Sequence, residues 1–303
     1  MAIKIHQLQA FKAVAQQGSI RAASRQLALS QPSLTKAIKE LELTLGVQLF
    51  HRGVQGVTLT QYGHTLLQHA HLALNELEQA QHAISQQLGQ MSGQVSIGLG
   101  ASVACSLLPH VLARFRQDYP QVSVRISEGQ MESHLHRLRS GDVDFAINTV
   151  YPDFAEGEFS LEPLFECAFK VLVRRNHPLA GVTSLAQLSD CDWMLPTTQS
   201  SYIQLLLDEL DKLGILVQSK VICESYLPTL NILAHTDCIG IVSELALEHF
   251  ARKDQLQEIV LQQPLPLAVF YIIQRRNRQL LPTANQLMQL FRVQSRPLFE
   301  CRG

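Results

Sequence analysis

Strand-like and helix-like stretches alternate along this chain from about residue 93 onward, and the alternation runs through twice. "QVSIGLG", "VSVRISEG" and "VDFAIN" are short apolar runs, with helical patterns through Leu107–Phe115 and around Leu135–Leu138 between them. After 165 the rhythm restarts with "FKVLVRR", "DWMLP", "KVICES", "CIGIVS" and "AVFYIIQRR", broken by helical patterns over Gln204–Leu213 and Leu230–Ala234. Such alternation commits a chain to α/β layers, because each connecting helix packs back on the sheet it leaves. Two rounds of it predict two α/β subdomains with mostly parallel sheets, closed by a helix over roughly Pro282–Val293.

The first ninety residues follow another plan. Ile5, Leu8, Phe11 and Ala15 recur at helical intervals up to Gly18, which suits a C-terminal stop. Ser19 can cap a short helix that buries Ile20, Ala23 and Leu27. Ser30 can cap the next, with Pro32 in its first turn. Leu34, Ile38, Leu41 and Leu45 form the apolar stripe of that helix, and Gly46 ends it. Opposite the stripe lie Pro32, Ser33, Thr35, Lys36 and Lys39, short polar and basic groups where a solvated face would alternate Glu and Lys. A short helix, a turn and a longer helix with an uncommitted polar face is the helix-turn-helix plan. "LFHRGVQGVTLT" (49–60) reads as strand, turn and strand, a wing. Thr60 then caps a long helix to about Leu88. Its Leu66, Ala70, Ala73, Leu77, Ala80 and Ile84 alternate steps of four and three, a seam on which two copies can pair. Packing against its own domain is the other use of that stripe. "QMSGQ" (90–94) suits a hinge.

Charge separates the two regions. Residues 1–60 hold seven Lys and Arg against Glu40 and Glu42, a net of +5 in a chain whose total is −1, so the remainder carries −6. A basic head on an acidic body points to a polyanion partner for the head alone. With 46% hydrophobic and 17% charged residues the composition excludes a disordered chain. No run of 18 apolar residues offers a bilayer span, and residues 1–15 do not read as a signal peptide. Six scattered cysteines (105, 167, 191, 223, 238, 301) without a CxxC pair suit free thiols in a reducing cytoplasm; a redox pair among them is the alternative.

The block "GSIRAASRQLALSQPSLTKAIKELELTLGVQLFHR", followed by "GVTLTQYG", "LRSGDVDFAIN" and "RRNHPLA", resembles the LysR-type transcriptional regulators, and the resemblance spans essentially all 303 residues. It implies a winged helix-turn-helix over 1–60, a linker helix over 61–89 and a periplasmic-binding-protein-like effector domain over 90–303. The effector domain would comprise subdomain I (about 91–163 and 268–303) and subdomain II (about 164–267). The chain would cross between them near 161–167 and 264–269. It also implies a homodimer or homotetramer on double-stranded promoter DNA, answering a small molecule in the cleft. The wing departs from the family's pattern: Gly53, Val54 and Gln55 leave Arg52 as its one certain cation.

For the DNA face, Gln31 suits adenine, and Ser33 and Thr35 suit base edges or a thymine methyl, beside Ser30 and Pro32 at the helix start. Arg21, Arg25, Lys36, Lys39 and Arg52 suit phosphates. Each lysine taken alone could equally be a solvated charge. The cleft is expected at the carboxyl ends of strands. That selects Ala101, Ser102, Gln130, Asn148 and Thr149 from one subdomain. From the other it selects Thr197, Thr198, Ser200, Ser201, Tyr202 and Glu224. Helix N-termini among these suit a carboxylate effector, aromatic or amide-linked. His69 with His71, and His134 with His136, sit two apart on different helix faces, so no shared metal is expected. "GASVA" lacks the last glycine of a nucleophile elbow, and Ser102 has no evident base. No catalytic residue, metal or cofactor is expected. An enzyme with an appended helix-turn-helix and a cysteine-based redox sensor are the rival readings.

Overall fold

The structure is a computed structural model that describes residues 2–300 except 54–55, 151–153, 155–156, 190, 196–200, 213, 216 and 218. The side chains of Arg52, Ser201 and 297–300 are also left undescribed. Two compact units divide the chain, one of residues 1–89 with 139–142, the other of 90–138 and 143–303.

In the first unit, α1 (Ile5–Gln17), α2 (Ile20–Gln26) and α3 (Gln31–Leu45) precede a hairpin of β1 (Phe50–Gly53) and β2 (Gly56–Leu59), and α4 (Gln61–Gln87) follows. Local chemistry sets each boundary. Gly18 and Gly46 end α1 and α3 at φ 59° and 71°. Ser19 Oγ accepts the Ala22 N–H at 3.4 Å, Ser30 Oγ the Ser33 N–H at 3.2 Å and Thr60 Oγ1 the Gly63 N–H at 3.0 Å. Such caps satisfy amides that the helix itself leaves open. The turn between α2 and α3 holds Ala28 at φ 52°, a left-handed conformation uncommon outside glycine. The wing closes on the end of α1: Val57 N–H donates to Gly18 O at 2.9 Å. A Cβ on Gly56 (φ 122°) would lie 2.8 Å from that oxygen. Phe11, Val14, Ala23, Leu34, Ile38, Leu41, Leu49, Phe50 and Ala70 form the core, with Ala37 buried where the stripe anticipated Leu45.

The second unit holds two five-stranded sheets. Sheet I, in the order β4-β3-β5-β12-β6, comprises β3 (Gly93–Leu99), β4 (Val122–Glu128), β5 (Phe145–Thr149), β6 (Phe159–Cys167) and β12 (Ala268–Arg275). Sheet II, in the order β11-β7-β10-β8-β9, comprises β7 (Phe169–Arg174), β8 (Trp193–Leu195), β9 (Ser219–Ile222), β10 (Ile239–Ser243) and β11 (Leu256–Ile259). The helices are α5 (Ala101–Asp118), α6 (Met131–Ser140), α7 (Ser201–Lys212), α8 (Tyr226–His235), α9 (Glu244–Leu247) and α10 (Pro282–Glu300).

The sheets are mixed, which corrects the expectation of mostly parallel ones. β3 pairs in parallel with β4 and β5, and β8 with β9 and β10; β12 runs antiparallel to β5 and β6, and β7 to β10 and β11. The chain leaves sheet I through β6, paired with β12 up to Cys167, and enters sheet II at Phe169. β6 carries Pro163, tolerated because the strand is at an edge and the register slips there, between Phe270 and Tyr271 of β12. Phe165 stacks on Phe270 at 4.7 Å in that core. Asp144 opens β5 as a buried acceptor for the Ser96 N–H (2.8 Å) and lies 3.4 Å from the buried Arg278. The "GDVDFAIN" stretch therefore has a structural task.

Candidate nucleic-acid interface and ligand cavity

The polar face of α3 is open to solvent. Ser30, Gln31, Pro32, Ser33, Lys36 and Lys39 are exposed, as are Arg21 and Arg25 on α2, while Thr35 is half-buried. Gln31, Pro32, Thr35, Lys36, Lys39, Glu40 and Leu43 line one shallow surface. The Ser33 hydroxyl lies 2.7 Å from Ser30 Oγ, so a base contact by Ser33 competes with the helix cap. Both glutamates of residues 1–60 serve the fold: Glu40 accepts from the buried Gln7 at 3.2 Å, and Glu42 from the Leu49 N–H at 2.9 Å. Lys36 approaches Glu40 only to 4.0 Å, an exposed pair of little energetic weight. The basic groups thus stay free for a polyanion. Arg52 lies on β1 opposite Val57, its side chain outside the described residues.

The α4 seam divides. Ala70 is buried in the unit's own core, and Leu66, half-buried, packs against that core. Ala73, Leu77, Ala80 and Ile84 are exposed, Leu77 by 43% and Ile84 by 59%.

In the second unit a cavity of about 130 Å³ gathers most of the effector candidates. Ala101, Ser102, Gln130, Asn148, Thr149, Tyr202 and Glu224 all line it. Thr197, Thr198 and Ser200 lie outside the described residues; Ser201 opens α7, its side chain undescribed. The roles differ. Ser102 is 8% exposed, and its hydroxyl has no partner among the described residues. Gly100 caps α5 without a side chain, and the next backbone donors to carbonyls there are Val103 and Ala104, which leaves the Ala101 and Ser102 N–H groups without a partner among the described residues. Asn148, by contrast, is committed to the fold. Its Oδ1 accepts the Thr149 N–H at 2.9 Å and its Nδ2 donates to Gly129 O at 3.2 Å. Behind it His134, fully buried, places Nδ1 3.4 Å from Asn148 Nδ2. Burial holds the His134 pKa down to about 4, against the Ser127 backbone, so the ring is a neutral acceptor at pH 7. The Tyr202 hydroxyl is also spoken for: it donates to Pro266 O at 3.0 Å, and its ring stacks on Phe169 at 3.9 Å. Tyr202 supplies a flat wall.

Sequence reasoning missed Phe169, Phe270, Glu128, Tyr226 and Val242–Ser243 in the lining. β7 and β12 run antiparallel to their neighbours, so their amino ends, with Phe169 and Phe270, come to the edge where parallel strands put their carboxyl ends. The rule of strand carboxyl ends does reach Val242–Ser243 once β10 is drawn to Ser243. Cys167 and Cys238 are buried, Cys223 lines the cavity, and no disulfide joins the five described cysteines to one another.

Two family models cover these two units. Residues 5–64 match the bacterial regulatory helix-turn-helix of the LysR family, and residues 88–296 match the LysR substrate binding domain. The chain belongs to the LysR family. It is a LysR-type DNA-binding transcriptional regulator with an effector-binding domain. It is 28% identical over 287 residues to the HTH-type transcriptional regulator TdcA of Escherichia coli K12, covering 95% of this chain and 92% of that one. The HTH-type transcriptional regulator PcaQ of Agrobacterium fabrum is 32% identical over 200 residues, 65% of this chain and 64% of the relative. Full-length CbnR in complex with its target DNA shares the fold at a TM-score of 0.71 and 20% identity, covering 96% and 99% of the two chains. Among the described residues no helix of this LysR-type chain is long and apolar enough to cross a membrane.

Proposed function

We propose that this regulator acts in the cytoplasm, reads promoter half-sites with α3 and pairs with a second copy along the exposed half of the α4 seam. A small carboxylate enters the cavity between the two sheets and changes how the DNA is held. Residues 1–60 carry DNA, 61–89 carry assembly as a homodimer or homotetramer, and 90–303 carry the effector. Gln31, Thr35 and Ser33 meet bases, and Arg21, Arg25, Lys36, Lys39 and Arg52 meet phosphates. Several stretches ("KIHQLQAF", "GLGASVACSL", "RISEGQ", "FAINTVY", "LPTTQSSY", "CESY") resemble the regulator of aminobenzoyl-glutamate utilisation, which supports an aromatic or amide-linked carboxylate.

The observation that supports the effector reading is the α5 N-terminus at the cavity wall. Among the described residues the Ala101 and Ser102 N–H groups and the hydroxyl of the 8%-exposed Ser102 have no partner, and both residues line the cavity. A thermal-shift screen of small aromatic and dicarboxylic acids on the full chain tests it, followed by footprinting of the promoter with any hit. Stabilisation that Ser102→Val abolishes supports the reading; a shift indifferent to that change defeats it.

A further inference from the structure

The cavity carries a second pole, of opposite preference to the first. Its only charged lining residues among those described are Glu128, at the end of β4, and Glu224, just before α8. They come from the two different sheets' sides of the cavity. Both are exposed, and among the described residues neither is in an ion pair. Among the described residues no lysine, arginine or histidine lines the cavity. Lys170 is nearby in sequence to Phe169, but its ammonium is taken by Glu244 at 3.1 Å and Glu258 at 3.0 Å. A ligand with two carboxylates would bring one of them to a glutamate with no cation to offset it.

Two hydroxyls mark the cavity as a site for a polar guest, that of Tyr226 being itself a buried atom without a partner. Ser102, 92% buried, has a hydroxyl without a partner among the described residues, and the buried Tyr226 hydroxyl also finds none. Buried polar groups are ordinarily satisfied by protein, water or ligand. The lining also holds the uncharged polar residues Gln130, Asn148, Thr149, Ser225, Thr229 and Ser243, and its apolar wall is the stacked Phe169–Tyr202 pair with Phe270. The volume, about 130 Å³, is close to that of a cavity of about 150 Å³ that accepts benzene. The guest's apolar body is therefore compact.

We infer that the effector is an amine-bearing carboxylate, a small zwitterion of the amino-acid type. Its carboxylate sits on the α5 N-terminus and Ser102, and its ammonium is held by Glu224 and Glu128. This rests on the reading of the cavity as the effector site and adds the charge of the guest. Hydrogen bonds from an ammonium to a carboxylate are charge-assisted, about twice as strong as neutral ones, and that is where selectivity against the deaminated analogue arises.

Isothermal titration of the full-length protein with three matched pairs tests the inference: L-alanine and propanoate, L-leucine and 4-methylpentanoate, L-phenylalanine and 3-phenylpropanoate. At least one amino acid is expected to bind tenfold or more tightly than its partner. Glu224→Gln and Glu128→Gln, whose folding is checked by circular dichroism, should together bring that ratio toward one. Deaminated acids that bind as tightly as the amino acids overturn the amine assignment while leaving the cavity as the effector site. A preference for the amino acids that survives the double substitution overturns the role of the glutamates. If all six fail to bind at about 10 mM, beyond even weak millimolar affinity, this inference falls. The wider effector reading then stands or falls on the Ser102→Val screen.

Discussion

Lowering the pH from 7 to 5 should weaken the second unit through His134 alone by about 2 kcal/mol. The ring is fully buried, and a Cβ on Gly98 would lie 2.7 Å from its Cδ2, so no space exists for water to hydrate an imidazolium. Its pKa is held to about 4, against about 6.5 in an unfolded chain. Because the folded value is the lower one for a base, the unfolded state binds the extra proton between those limits. The stabilising effect of neutral burial is complete above pH 6.5 and is lost as pH falls toward 4, reaching a ceiling of about 3 kcal/mol. By pH 5 about 2 kcal/mol of it has gone. Trp193, the single tryptophan and fully buried, reports unfolding of this unit by fluorescence. Denaturant titrations at pH 7, 6 and 5 on the wild type and His134→Gln isolate the effect, because carboxylates common to both cancel in the difference. Parallel pH profiles, or an imidazole titrating near 6.5 by NMR, would refute the reasoning.

Leu77→Glu with Ile84→Glu should dissociate the α4 pairing. Burying four half-exposed side chains is worth about 4 kcal/mol, roughly a thousandfold in dimer dissociation, read as mass by analytical ultracentrifugation. An unchanged mass removes the seam from the interface. Lys36→Ala should weaken binding to all DNA sequences and flatten the salt slope by about 0.9 per lost phosphate contact; an unchanged slope takes Lys36 off the contact surface. Asp144→Asn removes the buried carboxylate that faces Arg278 at 3.4 Å and accepts the Ser96 N–H, and should cost about 3 kcal/mol in the same tryptophan assay. Gly56→Ala, at φ 122° and against the Gly18 carbonyl, should loosen the wing by about 2 kcal/mol, visible as a lower melting temperature of the first unit.

The DNA-binding unit was largely legible in the sequence because its boundaries rest on local chemistry. Ser19, Ser30 and Thr60 cap and Gly18 and Gly46 stop, as their residue types require. The sheets were legible in number but not in direction. β6, with Pro163 and two glutamates, and the four-residue β11 lack the apolar density of a central strand, and these two edge strands supply half of the antiparallel pairings. Missing them concealed which strand ends meet at the cavity, hence Phe169 and Phe270. The difference between Ser102 and Asn148 was equally hidden. Both are polar residues just at or after strand ends, and only tertiary contacts show that one amide is engaged while one hydroxyl has no partner among the described residues.

Ala168 alone separates β6 from β7, and its carbonyl accepts the Glu244 N–H at 2.9 Å, so this link is both short and clamped. The return path, 260–267, is longer. A tilt of sheet II against sheet I therefore pivots close to Ala168, and displacement grows with distance from it. β9 lies three strands beyond β7, about 14 Å at the usual strand spacing of about 4.8 Å. A closure of about 5° around a small guest would carry that edge, with the exposed Val221 and Ile222, by roughly 1 Å. Sheet II is thus placed as a lever arm on the Ala168 pivot, with an apolar rim at its far edge.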